Sequence, residues 1–486
     1  MLSAARTGAV ALTAALLAGL TAGPALADAT ASPSPDASTA SSAGAPAPAA
    51  APASPSPVAA PTAVYGKGDP TYDGVWRQSL ALTALATAKV TPATAAVDWL
   101  TGQQCADGGW PSFRAETATP CVAATEDSNA TAMAVQALVA LGGHQPAVDK
   151  GVQWLTSVQN ADGTWSYNPG APGDADSTGL AVSALRAAKT DPSGVAKAGK
   201  NGLDGLAALQ LGCAAPTDQR GAFAYQPAAT GEVAANALAT SQATLAVAGG
   251  SLPVTAGSPT GPAPKALTCP DAAGATTVPK GEAAEAAAGF LAGQLATGGQ
   301  HLMLTTPGAA PTPDFGATSW AVLSLVRAGH PQQAAGAVDG QYTNAAGWTK
   351  GPAGTDPSAT ATLLLAAHAA GRDPRAFGGT DLVKQLADAG PAAQSGVAAG
   401  SGGSSATGKK SGTSPVWTIG IGLLIGAGGG LVLSMQRKSN QVDFGPAKKK
   451  NAKGGAGGKG GTGTGTGGKG ASDKPAAPAG GKASGK

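Results

Sequence analysis

Two segments of the chain repeat one another. Ala96-Val97-Asp98-Trp99-Leu100 is followed by Gln104 and then Asp107-Gly108-Gly109-Trp110; Gly151-Val152-Gln153-Trp154-Leu155 is followed by Gln159 and then Asp162-Gly163-Thr164-Trp165. The closing tryptophans stand 55 residues apart, about the length of a helical hairpin with its loops. Such a period constrains the chain to a repeat architecture, in which each hairpin buries its apolar face against the next.

The ends of the chain do not share the repeat. Residues 1–27 carry one early cation, Arg6, an apolar run from Ala9 to Leu20, and Ala25-Leu26-Ala27 before Asp28; this is the pattern of a secretory signal peptide. Residues 28–64 are mostly Ala, Pro and Ser, too poor in apolar bulk to offset chain entropy, and are expected to form a disordered linker. Residues 396–414 form a second, Gly/Ser-rich linker. In the segment 415–435, the stretch Val416 to Met435 has no charge and is long enough to cross a hydrocarbon core as one helix. Arg437-Lys438 and Lys448-Lys449-Lys450 follow it, which places the Gly/Lys-rich tail, 436–486, on the cytoplasmic side. The expectation is a type I single-pass membrane protein whose main domain, 65–395, is extracytoplasmic.

The formal net charge of +3 conceals a division along the chain. Residues 436–486 carry 11 Lys/Arg and 2 Asp, whereas residues 65–395 carry 17 Lys/Arg and 24 Asp/Glu. The basic character thus belongs to the tail and suits an anionic lipid surface; it is no argument for nucleic acid as a partner. All four cysteines, Cys105, Cys121, Cys213 and Cys269, lie in the main domain. In an exported protein they suggest disulfides, Cys105–Cys121 and Cys213–Cys269 by chain order, and a bridge around a loop of about 15 residues contributes roughly 3 kcal/mol. Zinc is the competing reading, but no CxxC pair is present and His144, His301, His330 and His368 are scattered, so no metal or other cofactor is expected.

Within 65–395, two kinds of helix alternate. One kind begins at an Asp and ends in an Ala/Leu/Gly run: Asp127 to Gly142, Asp174 to Lys189, Asp314 to Gly329 and Asp356 to Gly371, with Asp73 to Lys89 and Glu232 to Gly249 fitting less strictly. The other precedes the Gln/Trp motifs: Pro92 to Gln104, Pro146 to Gln159, Ala196 to Gln210, Lys280 to Gln294, Pro331 to Gln341, and Asp373 to Ala389. Helices such as Ala130 to Leu141 have no polar face and must be buried on all sides. The second kind carries charges such as Asp98, Asp149, Lys150 and Lys384. The expected fold is therefore all-α, an (α/α)6 toroid of about twelve helices with the apolar set inside.

On these motifs, Trp99 to Trp110 and Trp154 to Trp165, with degenerate copies at Leu206 to Phe223, Phe290 to Gln294 and Gln341 to Trp348, the domain resembles the prenyltransferase and squalene-cyclase repeat superfamily. The resemblance implies the toroid; it does not carry the enzymology with it. The DxDD proton donor of squalene-hopene type cyclases is missing, the nearest string being Asp174-Ala175-Asp176-Ser177, and the inner helices offer Trp76, Phe315 and Trp320 as their aromatics. The zinc cluster of protein prenyltransferases and the thioester motif of complement-type toroids are absent as well. No catalytic residue is assigned.

The aspartates that open the inner helices, Asp127, Asp174, Asp314 and Asp356, together with Asp176, would ring one mouth of the toroid. With Trp76 and Trp320 they are the candidate ligand-binding residues. Carboxylate pairs such as Asp174/Asp176 or Glu126/Asp127 would suit acid–base chemistry, while helix capping explains the repeated position equally directly. Trp99, Gln104, Trp110, Trp154, Gln159, Trp165 and Trp348 are expected to be packing residues of the repeat. Architecturally, the exported α-domains of cobalamin carriers are similar, more distantly. The expected function is a membrane-anchored binding or interaction module capturing a vitamin-like (corrinoid) or hydrophobic ligand, with a membrane transporter as possible partner. An isoprenoid- or glycan-processing enzyme and a purely structural surface protein are the alternatives. The Pro/Gly-rich insertion from Gly249 to Pro279 is the expected place for partner contacts.

Overall fold

The computed structural model describes residues 57–228, 231–269, 277–306 and 308–393, all within the unit that begins at Pro57. The expected signal peptide, most of the first expected linker, the second expected linker, the charge-free segment and the basic tail lie outside the described residues. Among the described residues no helix is long and apolar enough to cross a membrane.

Among the described residues thirteen α-helices follow one another: α1 (Gly74–Thr87), α2 (Thr94–Gly102), α3 (Ser128–Leu141), α4 (Gln145–Val158), α5 (Ala175–Ala187), α6 (Gly202–Leu209), α7 (Ala237–Val247), α8 (Ala283–Thr297), α9 (Phe315–Arg327), α10 (Pro331–Asp339), α11 (Ala345–Trp348), α12 (Pro357–Ala369) and α13 (Leu382–Asp388). Helices α1, α3, α5, α7, α9 and α12 pack in that order and close into a ring where α12 meets α1. Against each one lies its sequence neighbour, α2, α4, α6, α8, α10 or α13. The result is a closed double ring of six hairpins, with α11 a single extra turn. Three short antiparallel hairpins serve as connections: Ala196–Lys197 with Lys200–Asn201, Leu302–Leu304 with Thr312–Asp314, and Lys350–Gly351 with Gly354–Thr355.

The inner helices owe their position to composition. Ala132, Met133, Ala134, Val135 and Ala137 of α3, and the run Leu363 to Ala367 of α12, are buried on every side, as helices without a polar face must be. Small side chains let six helices approach closely without voids. Each inner helix is followed within two residues of its end by a left-handed residue: Gly142, Gly249, Gly329 and Gly371, but Lys89 and Lys189 after α1 and α5. These positions turn the chain toward the next outer helix.

Several boundaries differ from expectation. α7 starts after Asn236, not Glu232, because Asn236 Oδ1 accepts from the Ala239 N–H and caps the helix. α6 begins at Gly202 because Ala196 to Asn201 is a hairpin, and Asn201 with Asp204 forms a capping box. The last outer helix is only Leu382–Asp388, preceded by a 3₁₀ turn at Pro374–Ala376. Disulfides join Cys105 to Cys121 and Cys213 to Cys269. The insertion after α7 is not wholly a surface loop: Leu252 and Val254 are buried in the core, and the Leu252 N–H donates to Gln136 Oε1 of α3 at 2.8 Å.

Candidate functional site

The mouth at the N-terminal ends of the inner helices is built by one repeated device. The residue at the end of the Gln/Trp motif donates its backbone N–H, at 2.9 Å, to a threonine hydroxyl in the first turn of the next inner helix. The pairs are Trp110 with Thr131, Trp165 with Thr178, Phe223 with Thr240, and Leu302 with Thr318; in the fifth copy the Thr360 hydroxyl donates to the Thr349 carbonyl. Four residues before each threonine stands the helix cap, Asp127, Asp174, Asn236, Asp314 or Asp356, whose side chain accepts backbone N–H groups. The latch residues of the fourth and fifth copies are thus Leu302 and Thr349; Trp348 precedes its latch position and instead packs against Phe315 at 5.7 Å. The Asp-x-x-x-Thr spacing was legible in the chain, and the threonines are residues that the motif reading missed.

The glutamines and tryptophans complete the latch. Gln104 donates to the carbonyls of Gly108 and Ala147, Gln159 to those of Gly163 and Val195, and Gln210 to those of Gly221 and Ala283. Each glutamine therefore ties its own turn to the chain at or near the next outer helix. Trp110 and Trp165 are fully buried, and their indole N–H groups donate to the Leu100 and Leu155 carbonyls. Trp154 is buried, while Trp99 is half-buried and stacks on Phe113 with centroids 6.4 Å apart.

The candidate carboxylates do not share one environment. Asp127 Oδ1 accepts from the N–H groups of Asn129 and Ala130, and its Oδ2 accepts from Ser112 Oγ, which also lies 2.9 Å from Tyr167 Oη. Asp174 accepts from the Ser177 N–H and hydroxyl. Burial first, and the nearby Asp127 charge among lesser causes, raise Asp174 above the usual carboxylate range; burial and then Asp174 raise Asp176 well above it. Asp176 Oδ1 is buried without a hydrogen-bond partner. Burial also raises Asp314, which caps α9 through the Ala317 N–H at 2.8 Å. Asp356 caps α12 through the Ala359 N–H at 2.9 Å. Trp76 of α1 and Trp320 of α9 meet with ring centroids 6.3 Å apart; Trp320 is buried and Trp76 half-buried. The structure thus associates Asp174 with Asp127 and with Asp176, and Trp76 with Trp320.

Glu126 does not pair with Asp127 as the chain order suggests. The reason is its backbone: Glu126 bridges to Pro111, which turns its side chain toward the Asp107 turn, while Asp127 is committed to the helix cap. Glu126 is 1% exposed, and burial, followed by the Asp107 charge, pushes its carboxyl up to about 7. The Trp154 indole N–H and Arg114 act in the opposite direction. Outside this pair lies a cavity of about 310 Å³ lined by Asp107, Ala123, Gln153, Trp154, Ser157 and Pro169. Cys105, Cys121 and Glu126 form a cluster of metal-ligand type, but both sulfurs are spent in the disulfide. A second cavity of about 310 Å³, at the C-terminal ends of α7 and α9, is lined by Gly250, Pro253, Val254 and Arg327 among others.

The fold and its latches define a closed α/α toroid built of Gln/Trp hairpins. Residues 63–201 match the family model of the squalene-hopene cyclase C-terminal domain, a stretch that runs from before α1 to the hairpin before α6. No curated protein matches the chain. Among solved structures, a protein from Actinoplanes is similar at 16% identity and TM-score 0.39, over 63% of this chain and 92% of that one. The ent-copalyl diphosphate synthase from Streptomyces platensis is similar at 19% identity and TM-score 0.37, over 61% of this chain and 50% of that one.

Proposed function

We propose that the toroid is a binding module that captures a vitamin-like (corrinoid) or hydrophobic ligand at its carboxylate-bearing mouth and leaves that ligand chemically unchanged. The observation that carries this reading is the engagement of the mouth carboxylates. Asp127, Asp174, Asp314 and Asp356 each spend an oxygen on backbone N–H groups, which stabilises the helix ends and leaves them as walls. Trp76, half-buried beside Trp320, supplies an apolar surface among them. On this reading the charge-free segment 415–435 tethers the module to a membrane, where a transporter could receive the ligand.

The test is equilibrium titration of the full chain with cobalamin and with C15 to C30 isoprenoids, followed by tryptophan emission. Saturable binding that weakens at least about tenfold in Trp76→Ala, as expected when a buried apolar contact of 1.5–3 kcal/mol is lost, supports the reading. Absence of binding by either class removes it.

A second reading, a Brønsted-acid enzyme on the same toroid, is favoured by one feature. Asp176 Oδ1 is buried and unpartnered, and burial with the Asp174 neighbour keeps that carboxyl protonated far above the ordinary range, as a proton donor requires. Turnover of an isoprenoid that disappears in Asp176→Asn would favour it over the binding module.

A further inference from the structure

We propose that the Cys105–Cys121 disulfide, with Glu126 behind it, is a thiol–disulfide exchange site for a dithiol partner, Glu126 acting as proton donor and acceptor to the Cys105 sulfur. Three observations converge. A Glu126 carboxyl oxygen and the two sulfurs all lie within 4.8 Å of one another. The disulfide is asymmetric: Cys105 is 3% exposed, whereas Cys121 is half-buried and opens onto the exposed segment Glu116 to Pro120. Glu126 is itself buried, its carboxyl enclosed between the disulfide, the Trp154 indole and Asp107.

The asymmetry sets the order of events. A partner thiolate reaches the Cys121 sulfur, forms a mixed disulfide with it, and breaks the bond to Cys105. The departing Cys105 thiolate is generated in a buried place, where an unprotonated anion is costly. Exchange is faster when the leaving sulfur is stabilised. Glu126 in its acid form gives Cys105 a proton and becomes a carboxylate. The partner's second thiolate then attacks the partner's own sulfur in the mixed disulfide and releases Cys121, which takes a proton from solvent. The partner dithiol leaves as a disulfide, and the chain holds two thiols; two electrons and two protons have moved. In reverse, the Glu126 carboxylate removes the Cys105 proton and the resolving thiolate forms.

The groups that face Glu126 make the donor usable near neutrality. Asp107 on the turn after α2 opposes its ionisation, and Arg114 on the following loop and Trp154 of α4 favour it; Asp127, next in the chain, is held by the α3 cap and Ser112. Burial outweighs the two favourable neighbours, and the proton is released at about pH 7. Cys213–Cys269 is an internal reference, since no carboxyl joins its sulfurs in a cluster of this kind among the described residues.

The experiment treats the oxidised full-length chain with dithiothreitol over pH 5.5 to 8.5. Freed thiols are alkylated and mapped by mass, and each rate is divided by the thiolate concentration. For Cys105–Cys121 the normalised rate constant is expected to fall at least about tenfold as pH passes through 7, a conservative fraction of what a general acid supplies. It is expected to be flat for Cys213–Cys269, and flat and low for Cys105–Cys121 in Glu126→Gln. Asp107→Asn, which removes the charge that opposes Glu126 ionisation, should move the inflection to lower pH. A flat profile in the native chain, an unchanged profile in Glu126→Gln, an unmoved inflection in Asp107→Asn, or resistance of Cys105–Cys121 to reduction in the folded chain would each overturn the proposal.

Discussion

Replacing Thr178 by Val tests whether the threonine latches hold the ring. Valine keeps the branched shape of threonine but puts a methyl group where the hydroxyl stood. In the native chain that oxygen accepts from the Trp165 N–H at 2.9 Å and donates to the Asp174 carbonyl at 2.5 Å. Thr178, Trp165 and Asp174 are all buried, so water does not replace the lost partner. An unsatisfied buried N–H costs about 1–3 kcal/mol. The Asp174 carbonyl keeps the Thr178 N–H at 3.1 Å, so the loss is concentrated on Trp165. For a ring of about 330 residues, the unfolding entropy is about 0.7 kcal/mol/K, and a loss of about 2 kcal/mol lowers Tm by about 3 °C. Calorimetry measures that shift. Amide exchange gives the finer readout, because the Trp165 amide should lose protection more than other amides of the same hairpin. Thr178→Ser, which retains the hydroxyl, should keep the Trp165 protection. Equal protection at Trp165 in the native chain and Thr178→Val would refute the latch.

Three further outcomes follow from the packing and the charges. A methyl group on Gly151 would meet Val135 Cγ2 at 2.6 Å and Trp110 Cζ3 at 3.0 Å, and one on Gly202 would meet Val182 Cγ2 at 2.5 Å and Trp165 Cζ3 at 2.9 Å. Gly151→Ala and Gly202→Ala should each cost about 1–3 kcal/mol in denaturant unfolding. Gly108 has φ +109° and a Cβ there would run into the Lys150 carbonyl, so Gly108→Ala combines backbone strain with collision and should cost more than Ala106→Gly at the exposed start of the same turn. The pH dependence of Glu126 has a definite sign. Between about pH 4.5 and 7 the folded chain holds a proton on Glu126 that the unfolded chain has released, so stability falls as pH rises through this window. Glu126→Gln should remove that decline, gaining on the native chain at pH 8 relative to pH 4, as read by urea unfolding at both pH values.

Much of the architecture was legible in the chain because it rests on local, repeated signals. Asp127, Asp174, Asp314 and Asp356 mark inner-helix starts through capping, a contact within three residues. The apolar composition of α3 and α12 states that they are enclosed, whatever encloses them. The hairpin at Ala196–Asn201 was hidden because Val195 to Lys200 has no strong strand pattern and is defined by Gly199, with φ +77°. Pairing across the mouth was not legible for another reason. Glu126 meets Asp107 and the cysteine sulfurs only because the Cys105–Cys121 disulfide and the Pro111–Glu126 bridge close that loop, and no local periodicity records that closure. Likewise, Leu252 looks like part of a polar insertion until Gln136, 116 residues earlier, is seen to accept its N–H.

Ring closure has a consequence for how such a module would be presented. The first hairpin breaks the latch pattern: Asp73 has no side-chain cap bond to α1, and Arg77, not threonine, occupies the position four residues on. In place of a latch, the two ends of the ring hold one another. The Gly66 N–H donates to the Ala389 carbonyl at 2.8 Å, the Tyr65 N–H donates to Gln78 Oε1 at 3.0 Å, and Tyr65 is buried so tightly that a methyl group on Gly390 would collide with its ring. Gly66 also abuts Pro357, the first residue of α12. The chain therefore enters and leaves the ring on the side of the carboxylate-bearing mouth. On the proposed tethered arrangement, the Gly/Ser-rich stretch of 19 residues, 396–414, whose composition corresponds to a random-coil span of about 25 Å, would keep a ligand held at that mouth within reach of a membrane partner. Shortening this linker should lower delivery to such a partner while leaving the affinity of the isolated binding step unchanged, whereas a site at the opposite mouth, beside Arg327 and Val254, would not respond in the same way.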